Sequence, residues 1–186
     1  MDTFEKIKFH LDNRKYCKIK RLINKTEIEN AKGYIVDFSD NFVLLHETDD
    51  FEIDGYSVIP INTISDILFS NRDKYYDKIM ALEGMVGKIQ NKYKIDLTNW
   101  NSVFKSIQKL GFNVIIENED PEDYSFDIGP ITKITDSAVY VRYFDAKGFL
   151  DIEITKITWD LMTIVKFDTR YINIFSKYLR ERKIKK

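Results

Sequence analysis

A single cysteine, Cys17, stands among the 186 residues, so no disulfide can form within the chain and an oxidising compartment is not implied. Two histidines, His10 and His46, are too few to build a zinc site beside one cysteine. The seven glycines are dispersed and make neither a dinucleotide fingerprint nor a phosphate loop, and no Gly-x-Ser-x-Gly elbow occurs. Hydrophobic runs stay well short of the roughly 18–20 residues a membrane span requires. The N-terminal MDTFEKIKFHLDNRK alternates charge with apolar residues and does not read as a signal peptide. Charge of one sign is missing too: a formal net charge of -1 predicts no global attraction to nucleic acid or to an anionic membrane. From these absences we expect no catalytic set, no metal and no cofactor, and a cytoplasmic location by default.

What is present is ordinary globular material, 44% apolar and 32% charged, enough for a real core in one medium domain or two small ones. Phe4, Ile7 and Leu11 fall at helical spacing behind a cap at Asp2 or Thr3. The stretch Tyr16 to Ile23 alternates as a strand, with Cys17, Ile19 and Arg21 on one face. From Gly33 to Phe69, apolar runs are broken at Ser39-Asp40-Asn41, Asp49-Asp50, Asp54-Gly55 and Pro60-Ile61-Asn62, which predicts four strands folded back on one another. A helix follows Ser70, with Tyr75, Tyr76, Ile79, Met80 and Leu82 expected on its buried side.

The second half repeats this layout. Trp100, Val103 and Ile107 stand 96 positions after Phe4, Ile7 and Leu11; Phe112 stands 96 after Tyr16; Gly129, Ile131, Asp136 and Val139 stand 96 after Gly33, Ile35, Asp40 and Val43. Gly148 and Ile157 stand 93 after Gly55 and Ile64, which predicts three residues lost from the second acidic hairpin. The last helix is expected to bury Tyr171, Ile174, Phe175, Tyr178 and Leu179. So many matches in one register indicate an internal duplication. The expected units are 1–83 and 99–186, each helix, five strands, helix, joined by a linker over 84–98. The poor alternation of Phe42–Glu47 predicts a strand buried on both faces and one compact body, with the halves packed as a pseudo-twofold pair.

Gly33, Ile35, Asp40 and Phe42, and again Gly129, Ile131, Asp136 and Ala138, follow the spacing of glycine, apolar residue, turn aspartate and apolar residue. In this the chain resembles Sm-like proteins, a family of small SH3-like barrels. The resemblance implies an α+β, mainly β fold: two tandem five-stranded barrels flanked by helices. Sm proteins that read RNA carry an asparagine where Val43 and Val139 stand, and an Arg-Gly or Lys-Gly turn where Pro60-Ile61-Asn62 and Glu153-Ile154-Thr155 stand, so a base-binding pocket is not implied.

Other constellations favour plain structural readings. Asp50-x-Glu52-x-Asp54-Gly55 resembles the start of a calcium loop, but Ile61 occupies the position of its bidentate glutamate. Glu117, Glu119, Asp120, Glu122 and Asp123 around Pro121 read as a solvated acidic loop. Basic residues gather at the end of the chain in Lys177, Arg180, Arg182, Lys183, Lys185 and Lys186, where they complement a helix C-terminus or contact phosphates. Tyr56, Tyr140 or Tyr143, if exposed, could stack on bases. Three functions follow in order: a non-catalytic binding or assembly module for a protein partner; an RNA- or DNA-binding adaptor using the basic tail and a surface joining Lys18, Lys20 and Arg21; an enzyme using His46 with nearby carboxylates. The residues singled out for contact are Asp40, Asp136, Tyr56, Arg180, Arg182 and Lys183.

Overall fold

The computed structural model describes residues 1–182. Helix α1 (Thr3–Asn13) starts with Asp2 and Glu5 capping each other's backbone N–H groups and stops at Arg14, which turns left-handed at φ 47°. Strands β1 (Tyr16–Ile23), β2 (Thr26–Phe38), β3 (Phe42–Asp49) and β4 (Glu52–Pro60) follow, then a 3-10 turn over Ile61–Thr63, β5 (Ile64–Leu68) and α2 (Asn71–Leu82). They pair in the order β5-β1-β2-β3-β4. Ile7 of α1 drops onto Cys17, Ile19, Ile35, Val43, Leu45 and Ile67, the apolar face of the curled sheet.

The second half runs α3 (Trp100–Lys109), β6 (Val114–Asn118), β7 (Ser125–Gly129), β8 (Ile131–Ile134), β9 (Ala138–Val141), β10 (Phe149–Leu150) and β11 (Thr155–Thr158). A 3-10 turn over Trp159–Leu161, then β12 (Ile164–Phe167), α4 (Arg170–Ser176) and β13 (Arg180–Glu181) complete it. The fold is α+β and mainly strands. Among the described residues all pairings are antiparallel except the short β10–β13 pair. The expected five strands are divided more finely because Pro130, which has no N–H to give a ladder, splits one long strand into β7 and β8.

Three features differ from the sequence reading. First, no pairing closes either half into a barrel among the described residues: the outer edge of β4 is taken by β12, and β11-β9-β8 stand as a separate sheet. Second, the halves are not joined like to like. β12 follows a 3-10 turn, as β5 does, yet it pairs with β4, from Val165–Val58 to Phe167–Tyr56. A twofold would pair matching strands, so the junction is head-to-tail and not a pseudo-twofold. Third, two offsets move. Cys17 lies across from Gly33 and Val114 from Gly129, so β6 stands 97, not 96, after β1. Val43 lies across from Ile59 and Val139 from Ile157, so by register Ile157 takes the place of Ile59, whereas the sequence reading set it against Ile64.

The segment 84–98 is a packed strap and not a free linker, since Ile89, Ile95 and Leu97 are buried. Ile95 and Leu97 enter the larger core with Trp100, Phe104 and Ile107 of α3. Strand β3 is buried on both faces as expected. Val43 and Leu45 face the first core, and Phe42 and Leu44 face the second. The helix faces are corrected too. In α2, Tyr75 and Leu82 are exposed while Asp73 and Asp77 are buried. Asp77 accepts hydrogen bonds from the Tyr16 N–H and the Tyr34 hydroxyl, each at 3.2 Å, so the helix docks by a carboxylate that apolar periodicity does not reveal. In α4, Ile172 is buried, whereas Tyr171 and Ile174 are exposed, as is Tyr178, which lies beyond the helix end.

Candidate functional site

Asp40 and Asp136, 96 positions apart, line one groove of about 690 Å³. Each sits in a turn built the same way. Ser39 N–H bonds the Phe42 carbonyl at 2.9 Å, and Thr135 N–H bonds the Ala138 carbonyl at 2.9 Å. Each turn then receives the N–H of a following 3-10 turn: Ile61 onto Asn41 at 2.9 Å and Trp159 onto Ser137 at 3.4 Å. The strap and α3 seal the gap between the turns. Asn41 Nδ2 donates to the Thr98 carbonyl and Asn101 Nδ2 to the Thr135 carbonyl, both at 2.8 Å.

The floor is aromatic. Phe42 and Trp100 pack with ring centroids 4.5 Å apart, and Trp159 stacks on Phe104 at 5.6 Å while its indole N–H donates to the Asp136 carbonyl at 2.8 Å. Asn62 and Asn99 add amides to the rim. Among the described residues the Asp40 and Asp136 carboxylates make no hydrogen bond or ion pair, and no lysine or arginine lines the groove. The site therefore offers aromatic faces, amides and two exposed negative charges, a set that repels phosphate and suits a cation.

The remaining sequence candidates lie elsewhere. Tyr56 is 2% exposed, with its hydroxyl donating to the Gln90 carbonyl at 2.9 Å, so it is core and not a stacking platform. Phe167 and its neighbours filled a face that alternation left open. Tyr140 and Tyr143 are half-buried. The Arg180 guanidinium lies 4.1 Å from the Phe149 ring centroid, and Arg182 pairs with Asp145 at 3.1 Å and Asp151 at 2.9 Å, so these cations are docked on the second half. Lys183, Lys185 and Lys186 lie outside the described residues.

The basic surface expected around β1 is neutralised: Lys18 pairs with Asp73 at 2.9 Å and Lys20 with Glu27 at 2.7 Å. Arg21 is fully buried. Its partner is Glu119, which the sequence places in a solvated loop but which is also buried. The two form a bidentate pair at 2.5 and 2.8 Å. Asn30 Nδ2 and Thr163 Oγ1 each donate to Glu119 at 2.7 Å, tying β1 and β2 to the second half. Burial alone would raise the Glu119 carboxyl, but the hydrogen bonds and charge of Arg21 outweigh it and hold the group below its ordinary value.

His46 lies apart from the groove, at the edge of a second cleft with Asp54 and Asp168. No carboxylate hydrogen-bonds either ring nitrogen among the described residues, so the His–carboxylate relay of the enzymatic reading is not assembled. Burial lowers its pKa from 6.5 to about 4, against the opposing pull of Asp168 and Asp54. In the unfolded chain the imidazole charges near the ordinary value; in the native protein it stays neutral until much lower pH. Stability is thus retained above about pH 6.5 and falls as pH drops toward 4, by up to about 3 kcal/mol. We expect His46→Gln to flatten that part of the acid limb in urea melts taken from pH 7 to 4. An unchanged slope would refute the assignment.

Among the described residues no helix is long and apolar enough to cross a membrane. No protein-family model, curated protein or solved structure matches this chain significantly.

Proposed function

We propose that the chain is a non-catalytic binding and assembly module built from two Sm-like repeats, and that its groove receives a lysine- or arginine-bearing segment of a partner protein. The repeat reading is supported by coincident registers. Ile35 pairs with Leu45 and Asp37 with Leu44, skipping Val36; Ile131 pairs with Val141 and Lys133 with Tyr140, skipping Thr132. Each half then corresponds to an SH3-like barrel whose closing edge is given up to its neighbour.

The observation that carries the binding reading is the meeting of Asp40 and Asp136 at one aromatic-floored groove that no basic side chain lines among the described residues. Unpaired carboxylates in one groove with tryptophan side chains attract a cation by charge and by the ring quadrupole together. The same field disfavours the RNA or DNA reading at this place.

Trp100 and Trp159 supply the readout. Titration of tryptophan fluorescence with a short peptide alternating lysine and alanine is expected to saturate and to weaken with salt, while the glutamate–alanine counterpart gives no change. Asp40→Asn with Asp136→Asn should weaken lysine-peptide binding roughly tenfold, two exposed charge pairs being lost. Indifference to both substitutions, or tighter binding of single-stranded RNA than of the peptide, would overturn the reading.

A further inference from the structure

A second cleft of about 510 Å³, separate from the groove of Asp40 and Asp136, opens where β4, the strap and the start of α4 meet. At its floor stands His46, only 7% exposed, its ring flat on Tyr56 at 4.3 Å and an interplanar angle of 2°. That stacking fixes which way the imidazole points. The Gln90 N–H approaches Nδ1 at 3.5 Å, which leaves the proton of the neutral ring on Nε2. Nε2 has no hydrogen-bond partner among the described residues. His46 lines the cleft, so this N–H is free to donate to a ligand or to solvent there.

Lys88, Lys92, Arg170 and Lys177 line the same cleft, against Asp54 and Asp168. Both carboxylates are already engaged by the protein. Asp54 accepts from the Arg170 N–H at 2.6 Å, and Asp168 accepts from the Tyr93 hydroxyl at 2.6 Å and Asn173 Nδ2 at 2.7 Å. The cations are far less committed. Arg170 reaches Glu52 at 3.4 Å with both side chains largely exposed, and Lys92 lies 5.0 Å from the Tyr93 ring centroid. Among the described residues Lys88 and Lys177 pair with no carboxylate. Two positive charges are left in excess around one fixed N–H donor.

We propose that this cleft binds a small phosphate group, free or as the monoester of a metabolite, with the cations on its oxygens and His46 Nε2–H donating from below. Phosphate fits because its several acceptor oxygens can take convergent charged donors and a neutral one together, which a single carboxylate does less completely. The size is that of a small-molecule site and not of a polymer track.

Calorimetric titration of the whole chain at low salt, with inorganic phosphate, adenosine 5′-monophosphate and adenosine, tests the assignment. Phosphate and the monophosphate should bind and adenosine should not. Equal affinity for the first two assigns the site to free phosphate, and tighter binding of the second assigns it to an ester. Lys92→Ala with Lys177→Ala, both at exposed positions, should weaken binding roughly tenfold at an unchanged melting temperature. No heat with either phosphate ligand at millimolar concentration, adenosine binding as well as its monophosphate, or an affinity untouched by the double substitution would overturn the proposal.

Discussion

Arg21→Ala is expected to lower the unfolding free energy by about 4 kcal/mol, because it strands the Glu119 carboxylate in the interior. Two of the donors to the Glu119 carboxylate belong to the guanidinium, and only Asn30 and Thr163 would remain. The loss reflects an uncompensated charge and not the net worth of the pair. Arg21→Met combined with Glu119→Leu should therefore recover most of it. Acid provides an independent check. In the native protein the carboxyl titrates below its ordinary value, so its stabilisation is present above that value and is lost as pH falls through the lower, native one. Without Arg21, burial is left as the main influence and raises the carboxyl, so the variant gains on the native protein as pH falls. Urea melts at pH 7 and pH 5 measure both effects. A loss below about 1 kcal/mol, or a gap that does not narrow in acid, would show that the pair is not the lock between the halves.

Gly33→Ala and Gly129→Ala are each expected to cost about 4 kcal/mol, near 2 from backbone strain and near 2 from overlap. Both glycines have φ 154°, and a Cβ at Gly33 would run into the His46 carbonyl oxygen while one at Gly129 would run into that of Arg142. In each case the obstacle is the backbone of the neighbouring strand, which cannot swing aside as a side chain tip can. Gly87→Ala is the control, since nothing lies within 4 Å of a Cβ placed there. Equal losses at the two positions would match the repeated construction. A tolerated alanine at Gly129 would mean that the second half bends without needing the glycine, and the parallel between the halves would fail there.

Much of the chain was legible because it depends on neighbours close in sequence. The cap at Asp2, the turn at Ser39-Asp40-Asn41 and the alternation that buries Cys17 and Ile19 together are all local events. The two-sided burial of β3 was legible as well, since its unbroken run from Phe42 to Leu45 leaves no face for water. Glu119 was not legible: five acids around a proline look solvated, and only a guanidinium 98 residues away reverses the balance. Tyr56 misled in the same way, because strand alternation says which residues share a face but not what covers that face. Offsets between the halves were read by matching residue types, whereas hydrogen-bond register moved β6 by one position and β11 by several.

Local chemistry thus determined the elements, their caps and bends, the repeated glycine and aspartate turns, and a largely antiparallel, strand-rich fold. Tertiary structure alone decided that β4 joins β12 head-to-tail, that Asp40 and Asp136 share one rim, and that His46 shares a cleft with Lys88, Lys92, Arg170 and Lys177. The physical reason is range. Turn and strand preferences act over a few residues, while edge pairing, desolvation and charge depend on segments that the chain brings together only once its core is buried.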